Sequence, residues 1–359
     1  MKVIIASPVF KVGDAIGHDV LGQYQCLREE GIETHIYSEI YEPDTAGLVS
    51  EDCLRLLEDK DTLLLYHHGA SWEKGIEILK KSRCRKVVKY HNITPAHYFL
   101  PYSSEYFKLC LLGRWQNREI IGSGIDMLIS DSSENSRDFI DGGFPEENSR
   151  VLPPFTSIHD FDSMEEDAEV SKGLFDGKVN VFFVGRVAPN KGHRHILYTA
   201  YYYKMLFGTD IRFIIAGHVS PNLVKYYKEL LSLVKHLGID DVVEFVGRVT
   251  PEGLVSYYKG SHVFLLLSEH EGFCVPILEA QYLGLPIVAY GASAVGETMG
   301  EDQLVYDQIN YETLSAAIDI VTHDEKTGKF LADAGYRNFS KYEKSHLKRK
   351  LISSLSELI

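Results

Sequence analysis

The sequence has no cysteine framework. Its five cysteines, Cys26, Cys53, Cys84, Cys110 and Cys274, are scattered without a CxxC pair. That spacing indicates neither a zinc site nor a disulfide scaffold, and reduced thiols in a reducing compartment are expected. Positive charge is also scarce: 37 Lys and Arg stand against 51 Asp and Glu, for a formal net charge of −14. Such a balance excludes general nucleic-acid binding, which needs a basic footprint. No apolar run is long enough for a membrane span, and Met1-Lys-Val-Ile-Ile-Ala reads as a first strand, not a signal peptide. A cytoplasmic location is expected. No solenoid-type repeat stands out, and the dinucleotide glycine fingerprint is missing, which argues against an NAD-dependent dehydrogenase. No ligand cluster demands a metal.

What is present is a chain of 359 residues, 45% hydrophobic and 25% charged, enough for two soluble domains with substantial cores. Its most informative stretch is Ser268-Glu-His-Glu-Gly-Phe-Cys-Val-Pro-Ile-Leu-Glu-Ala280. The apolar run Val263–Leu267 before it reads as a buried strand, and Pro276 suits the first position of a helix. Glu271 to Val275 is then a strand-to-helix loop, with Glu279 about one turn into the helix. Backbone N–H groups of Phe273, Cys274 and Val275 at that helix start offer a seat for phosphate, and the flanking carboxylates can accept hydrogen bonds from hydroxyls. Taken alone, Glu279 serves a helix dipole equally well.

The segment Val179–Gly185 restarts a parallel sheet after the proline pair Pro153-Pro154 and the acidic stretch Asp160–Glu169, which read as an interdomain linker. Arg186 and Lys191 follow on a loop bracketed by Gly185 and Gly192. Arg can hold phosphate oxygens through paired N–H donors, and Lys acts as a compact charge. In the N-terminal half, Lys2–Ser7, a loop with Gly13 and Gly17, a helix over 18–30 and a second strand give a βαβ beginning. Strands over 62–66 and 86–90 each end in histidines, His67-His68 and His91. Residues past the carboxyl ends of parallel strands line the crevice of open α/β sheets, which favours these positions for ligand contact.

Together, Glu271, the following Gly272-Phe273, Glu279, the Gly-Arg…Lys-Gly framing and Tyr-His-Asn-Ile-Thr-Pro around His91 resemble the retaining family 4 glycosyltransferases. The likeness is sharp over Val179–Gly296 and diffuse before it. It implies the GT-B fold, an α/β architecture of two doubly wound Rossmann-like domains facing across a cleft. Residues 1–156 are expected to form the acceptor-binding domain, residues 170–341 the donor-binding domain, and a helix near 342–359 to pack back on the first. The resemblance further implies sugar transfer, with retention and without a metal or other cofactor. The donor is a nucleoside-diphosphate sugar, a UDP-sugar ahead of a GDP-sugar, and the acceptor a saccharide or lipid-linked saccharide. Arg186 and Lys191 would clamp the diphosphate, Glu271 would hold a donor-sugar hydroxyl, and His91 would press on the same sugar. Gly13, Gly185, Gly217, Gly272, Phe273, Cys274 and Val275 would approach the donor, Arg248 and Val249 the base, and Glu279 the ribose. A nucleotide-sugar epimerase and an idle nucleotide-sugar-binding subunit are the competing readings.

Two further expectations concern partners. The basic run Lys80, Lys81, Arg83, Arg85, Lys86 and Lys89 could attract an anionic membrane face from the cytoplasmic side. Phe107, Leu111 and Trp115, at helical spacing, read as the buried stripe of a core helix or as a wall of the acceptor site.

Overall fold

The structure, a computed structural model, describes residues 2–358. It divides into two compact units. The first joins residues 2–96, 107–157 and 342–358, and the second joins 97–106 with 158–341.

In the first unit, β1 (Lys2–Phe10), β2 (Glu33–Tyr41), β3 (Thr62–His68), β4 (Arg85–Tyr90), β5 (Met127–Ser130) and β6 (Ser149–Val151) form a parallel sheet in the order β2-β1-β3-β4-β5-β6. All seven residues of β3 are buried, as expected of an apolar strand covered on both faces. Helices α1 (Ala15–Glu29), α2 (Glu73–Lys81), α3 (Ser104–Gly122, its residues 104–106 counted with the second unit) and α4 (Ser133–Ile140) connect the strands. Asp14 caps α1 by accepting from Gly17 N at 2.7 Å, leaving the first helical turn beside the carboxyl end of β1. The C-terminal helix Lys344–Ser356 buries Leu347, Leu351 and Leu355 in the core that also holds Val20, Leu27 and Phe155.

In the second unit, α5 (Ala168–Leu174) precedes β7 (Val179–Val184), α6 (His193–Phe207), β8 (Ile211–Ala216), α7 (Val224–Leu237), β9 (Val243–Gly247) and α8 (Pro251–Lys259). Then come β10 (Val263–Leu266), α9 (Val275–Tyr282), β11 (Ile287–Tyr290), α10 (Val295–Met299), β12 (Leu304–Tyr306), α11 (Tyr311–His323) and α12 (Glu325–Phe339). The parallel order β12-β11-β10-β7-β8-β9 reverses direction between β7 and β10. At such a switch point adjacent strand-end loops run to opposite sides and open a crevice, where ligands of doubly wound sheets bind.

Three expectations need correction. The stretch Asp160–Glu169 is not a free linker. Ile158 and Phe161 are buried, Asp167 N donates to Ser256 Oγ at 2.8 Å, and the Asp167 carboxylate caps α5. The stripe on α3 is inverted: Leu111 is 49% and Trp115 56% exposed, while Gln116 and Asn117 face inward. There Gln116 Oε1 accepts from Trp72 N at 2.9 Å, and Asn117 Oδ1 lies 2.9 Å from His68 Nε2. Buried strand-end polar groups need partners, and this outweighs the burial of two apolar side chains. Nor is the basic run an open patch. Lys80 pairs with Glu119, Lys81 with Glu77 and Arg85 with Asp126, Lys86 Nζ donates to Ser123 O, and Lys89 is buried against Asp131. Four of the six cations thus face a carboxylate, and nothing in this segment supports membrane contact. Among the described residues no helix is long and apolar enough to cross one.

Candidate functional site

The second unit's switch point brings together the loops after β7 and β10. Asn190 laces them: its carbonyl accepts from Glu269 N at 2.9 Å, and its Nδ2 donates to His270 O at 3.1 Å. Gly192 lies at φ +69°, and a Cβ there would stand 1.8 Å from Leu267 O, so the two loops meet backbone to backbone. This contact carries Lys191 to Glu271, where Nζ donates to both carboxylate oxygens at 2.8 and 2.7 Å. Glu271 is buried, and its own N–H donates to Ser293 Oγ at 2.8 Å. A second close approach lies next door: a Cβ on Gly217 would stand 1.9 Å from Gly185 O.

Helix α9 begins at Val275, one position before Pro276, and its cap residue Cys274 has φ 79° and ψ 73°. A left-handed conformation is costly for a residue with a Cβ. Phe273 O, held by Thr298 Oγ1 at 2.6 Å, helps to impose it. The first N–H groups of a helix lack intrahelical partners and carry its positive end. Burial, reinforced by Glu271, pushes the Cys274 thiol well up, so it is a neutral thiol and no nucleophile. His193, fully buried at the start of α6, falls to about 3 through burial and stays neutral. Lys191 and Arg186 are left as the cations of the β7 loop. Arg186 is exposed, with its guanidinium 5.4 Å from the Tyr106 ring centroid, and Tyr106 belongs to the same unit.

Glu279 stands one turn into α9, half-buried, with Oε2 accepting from Tyr258 Oη at 2.6 Å. Burial pushes its carboxyl up to about 6 against the opposing pull of that bond. Gly272 lies in the β10 loop, and Arg248 and Val249 follow β9 directly. Thus Gly185, Arg186, Lys191, Gly217 and Gly272 to Glu279 gather at the carboxyl edge of one sheet. Asn190, Tyr258 and Ser293, which hold them, were missed by the sequence reading. Ser293 sits in the glycine-rich Gly291–Gly296 loop at φ 46°, the one local hint.

The first unit has its own cluster. Register pairs His67 with Lys89 and Tyr90 with Ser130, which puts His67, Lys89, His91 and Asp131 on one face at the carboxyl edge. His91 Nδ1 lies 3.0 Å from Asp131 Oδ2, and His91 Nε2 lies 2.8 Å from His67 Nδ1. Both ring nitrogens are engaged and the side chain is 5% exposed, so His91 cannot hydrogen-bond a ligand without releasing a partner. Gly13, at φ +127°, lies in the β1–α1 loop of this unit. Asp19, His67 and His91 stand close enough together to hold a metal ion. Each is already hydrogen-bonded within the cluster, and Lys89 Nζ lies 3.9 Å from Asp19, a cation where an ion's charge would have to sit.

Residues 164–338 match the sequence model of the family described as "Glycosyl transferases group 1". D-inositol 3-phosphate glycosyltransferase of Rhodococcus erythropolis is 28% identical over 173 residues, 47% of this chain and 39% of that protein. Mannosylfructose-phosphate synthase of Agrobacterium fabrum is 25% identical over 286 residues, 74% of this chain and 62% of that one. The match to the first of these thus spans about two fifths of the relative's length. Among solved structures, HepE of Anabaena, determined with UDP, superposes with a TM-score of 0.73 at 17% identity, covering 99% of this chain and all of the other. Sucrose-phosphate synthase of Thermosynechococcus elongatus gives 0.74 at 15% identity, covering 100% of this chain and 99% of the other. At these identities the structural likeness shows the fold alone, and that fold is GT-B.

Proposed function

Because residues 164–338 match the family model of the group 1 glycosyltransferases, we propose that this chain transfers a sugar from a nucleoside diphosphate to a hydroxyl of a saccharide or saccharide-lipid, with retention at the anomeric carbon and without a metal. The observation that carries this reading is the Lys191–Glu271 pair, set between two strand-end loops beside the start of α9. Breaking the bond between sugar and diphosphate builds positive charge on the ring and negative charge on the leaving group. Lys191, Arg186 and the N-terminal N–H groups of α9 are preorganised to stabilise that leaving charge, which is the most effective form of electrostatic catalysis. On donor binding, the diphosphate takes over Lys191 and frees Glu271 to accept from a sugar hydroxyl. Glu279, fixed on one oxygen by Tyr258, offers the other to the ribose. A UDP-sugar is the preferred donor, since HepE was solved with UDP and with UDP-glucose. The first unit is assigned the acceptor side.

A thermal-shift panel of UDP, GDP and ADP on wild type and Lys191→Ala tests the donor site, because a ligand of the folded state raises Tm by mass action. Stabilisation by UDP, lost in the variant, is expected. A panel that shifts neither protein overturns the donor assignment. Retention is read from the anomeric proton coupling of the first-formed product, and metal independence from turnover that survives EDTA.

A further inference from the structure

The cluster at the carboxyl edge of the first sheet extends beyond His91 and its carboxylate. Helix α1 lays Asp19 and Gln23 over it, and with Asp19 ionised hydrogen-bond valence sets where the protons are. Asp19 Oδ1 accepts from Phe155 N and Oδ2 from Gln23 Nε2, both at 2.8 Å. The same amide therefore turns its oxygen toward His67 Nε2, 3.1 Å away, which must donate. A neutral His67 then keeps only a lone pair at Nδ1, so the proton across the 2.8 Å contact belongs to His91 Nε2. Since His91 Nδ1 also donates, to Asp131 Oδ2 at 3.0 Å, His91 carries a proton on both nitrogens.

The charges close in the same way. Around His91 stand Asp131 at the end of β5, Lys89 on β4, His67 on β3 and Asp19 on α1, with Lys89 and Asp19 fully buried. Lys89 and one imidazolium balance two carboxylates, which matters where an unpaired buried charge is strongly penalised. Burial, with His91 and Lys89 adding to it, holds His67 well below its ordinary range, so the imidazolium resides on His91. Burial pushes Asp131 up, but Lys89 and His91 outweigh it and keep the carboxyl low. At Asp19 burial prevails and raises the carboxyl against Lys89 and His91. Asp19 is therefore the competing site for the proton: with Asp19 protonated and the Gln23 amide reversed, the same chain would leave His91 neutral.

We propose that Asp19, Gln23 and His67 are positioning residues that lock His91 as a buried imidazolium, so that this sheet edge presents a fixed positive charge to its ligand and not a free ring nitrogen. Only the catalytic consequence of this rests on the proposed function. The test is ¹⁵N NMR of the full chain labelled at histidine, without any donor, with His67 and His91 assigned by signal loss in His67→Gln and His91→Gln. Both nitrogens of His91 are expected to carry a proton, as its two hydrogen bonds require. In Asp19→Asn, His91 is expected to lose one proton and turnover to fall about 100-fold, the low end of the 10²–10⁴ that a positioned acid or base contributes, while the UDP thermal shift persists. A singly protonated His91 in wild type, a doubly protonated one in Asp19→Asn, or a stoichiometric divalent ion bound to purified protein would each overturn the proposal. Should Asp19→Asn not fold, the wild-type spectrum decides alone. Should no donor support turnover, the proposed function fails while the spectrum still decides the charge of His91.

Discussion

Lys191 reaches both oxygens of Glu271, so the pair neutralises its own charge, and under the proposed function a diphosphate would compete with that carboxylate for Lys191. Glu271→Gln removes that competitor. UDP, which has no sugar for Glu271 to hold, is expected to bind about three- to tenfold more tightly, some 0.7–1.4 kcal/mol, while turnover of the sugar donor collapses. Calorimetric titration beside a transfer assay separates the two, and weaker UDP binding would remove the competitor role. Glu279 has the opposite sensitivity. Its carboxyl is raised to about 6, so the ionised form that accepts from hydroxyls predominates only above that pH. Binding of uridine, which has no phosphate to titrate, is expected to weaken as pH falls through about 6 and to be flat in Glu279→Gln. By the same linkage the raised carboxyl contributes stability below about 4.5, and that contribution is lost as pH rises through about 6. Charged residues at fixed offsets in a loop were legible in the sequence. The residues that hold them, Tyr258, Ser293 and Asp131, were not, because strand register and packing select them and sequence distance does not.

Among the elements, the loop between β7 and α6 is the most tightly constrained. Gly192→Ala would combine a positive φ, costing about 1–2 kcal/mol in a residue with a Cβ, with a 1.8 Å approach to Leu267 O that no side-chain rotation relieves. The second unit is expected to melt several degrees lower and to lose its UDP shift together with the Lys191–Glu271 contact. A variant that melts and binds like wild type would show that the loop can relax. Strands and their strand-end loops were readable from apolar runs bounded by glycine. Helix α3 was not, because spacing identifies an apolar face without saying which way it points. The outward Leu111 and Trp115, and the inward Gln116 and Asn117 serving Trp72 and His68, follow only once β3 is in place.

For the whole molecule, the important feature is that the first unit is discontinuous in sequence. Leu347, Leu351 and Leu355 complete the core around Leu27, and each fully buried leucine contributes about 1.5–3 kcal/mol. Their sum approaches the entire 5–15 kcal/mol of a typical domain. Deleting Lys344–Ser356 is expected to abolish the first unit's calorimetric transition and to leave the second's in place, and persistence of both would mean that the helix is dispensable. The same arrangement sets a schedule during synthesis. After β6 ends at Val151, the ribosome must add the 192 residues 152–343 before this helix begins, roughly 10–40 s at 5–20 residues per second. Throughout that interval, while the second unit is still being made, the first waits with an open apolar face. A chaperone caught on nascent chains should therefore be found on α1 and the strands beside it.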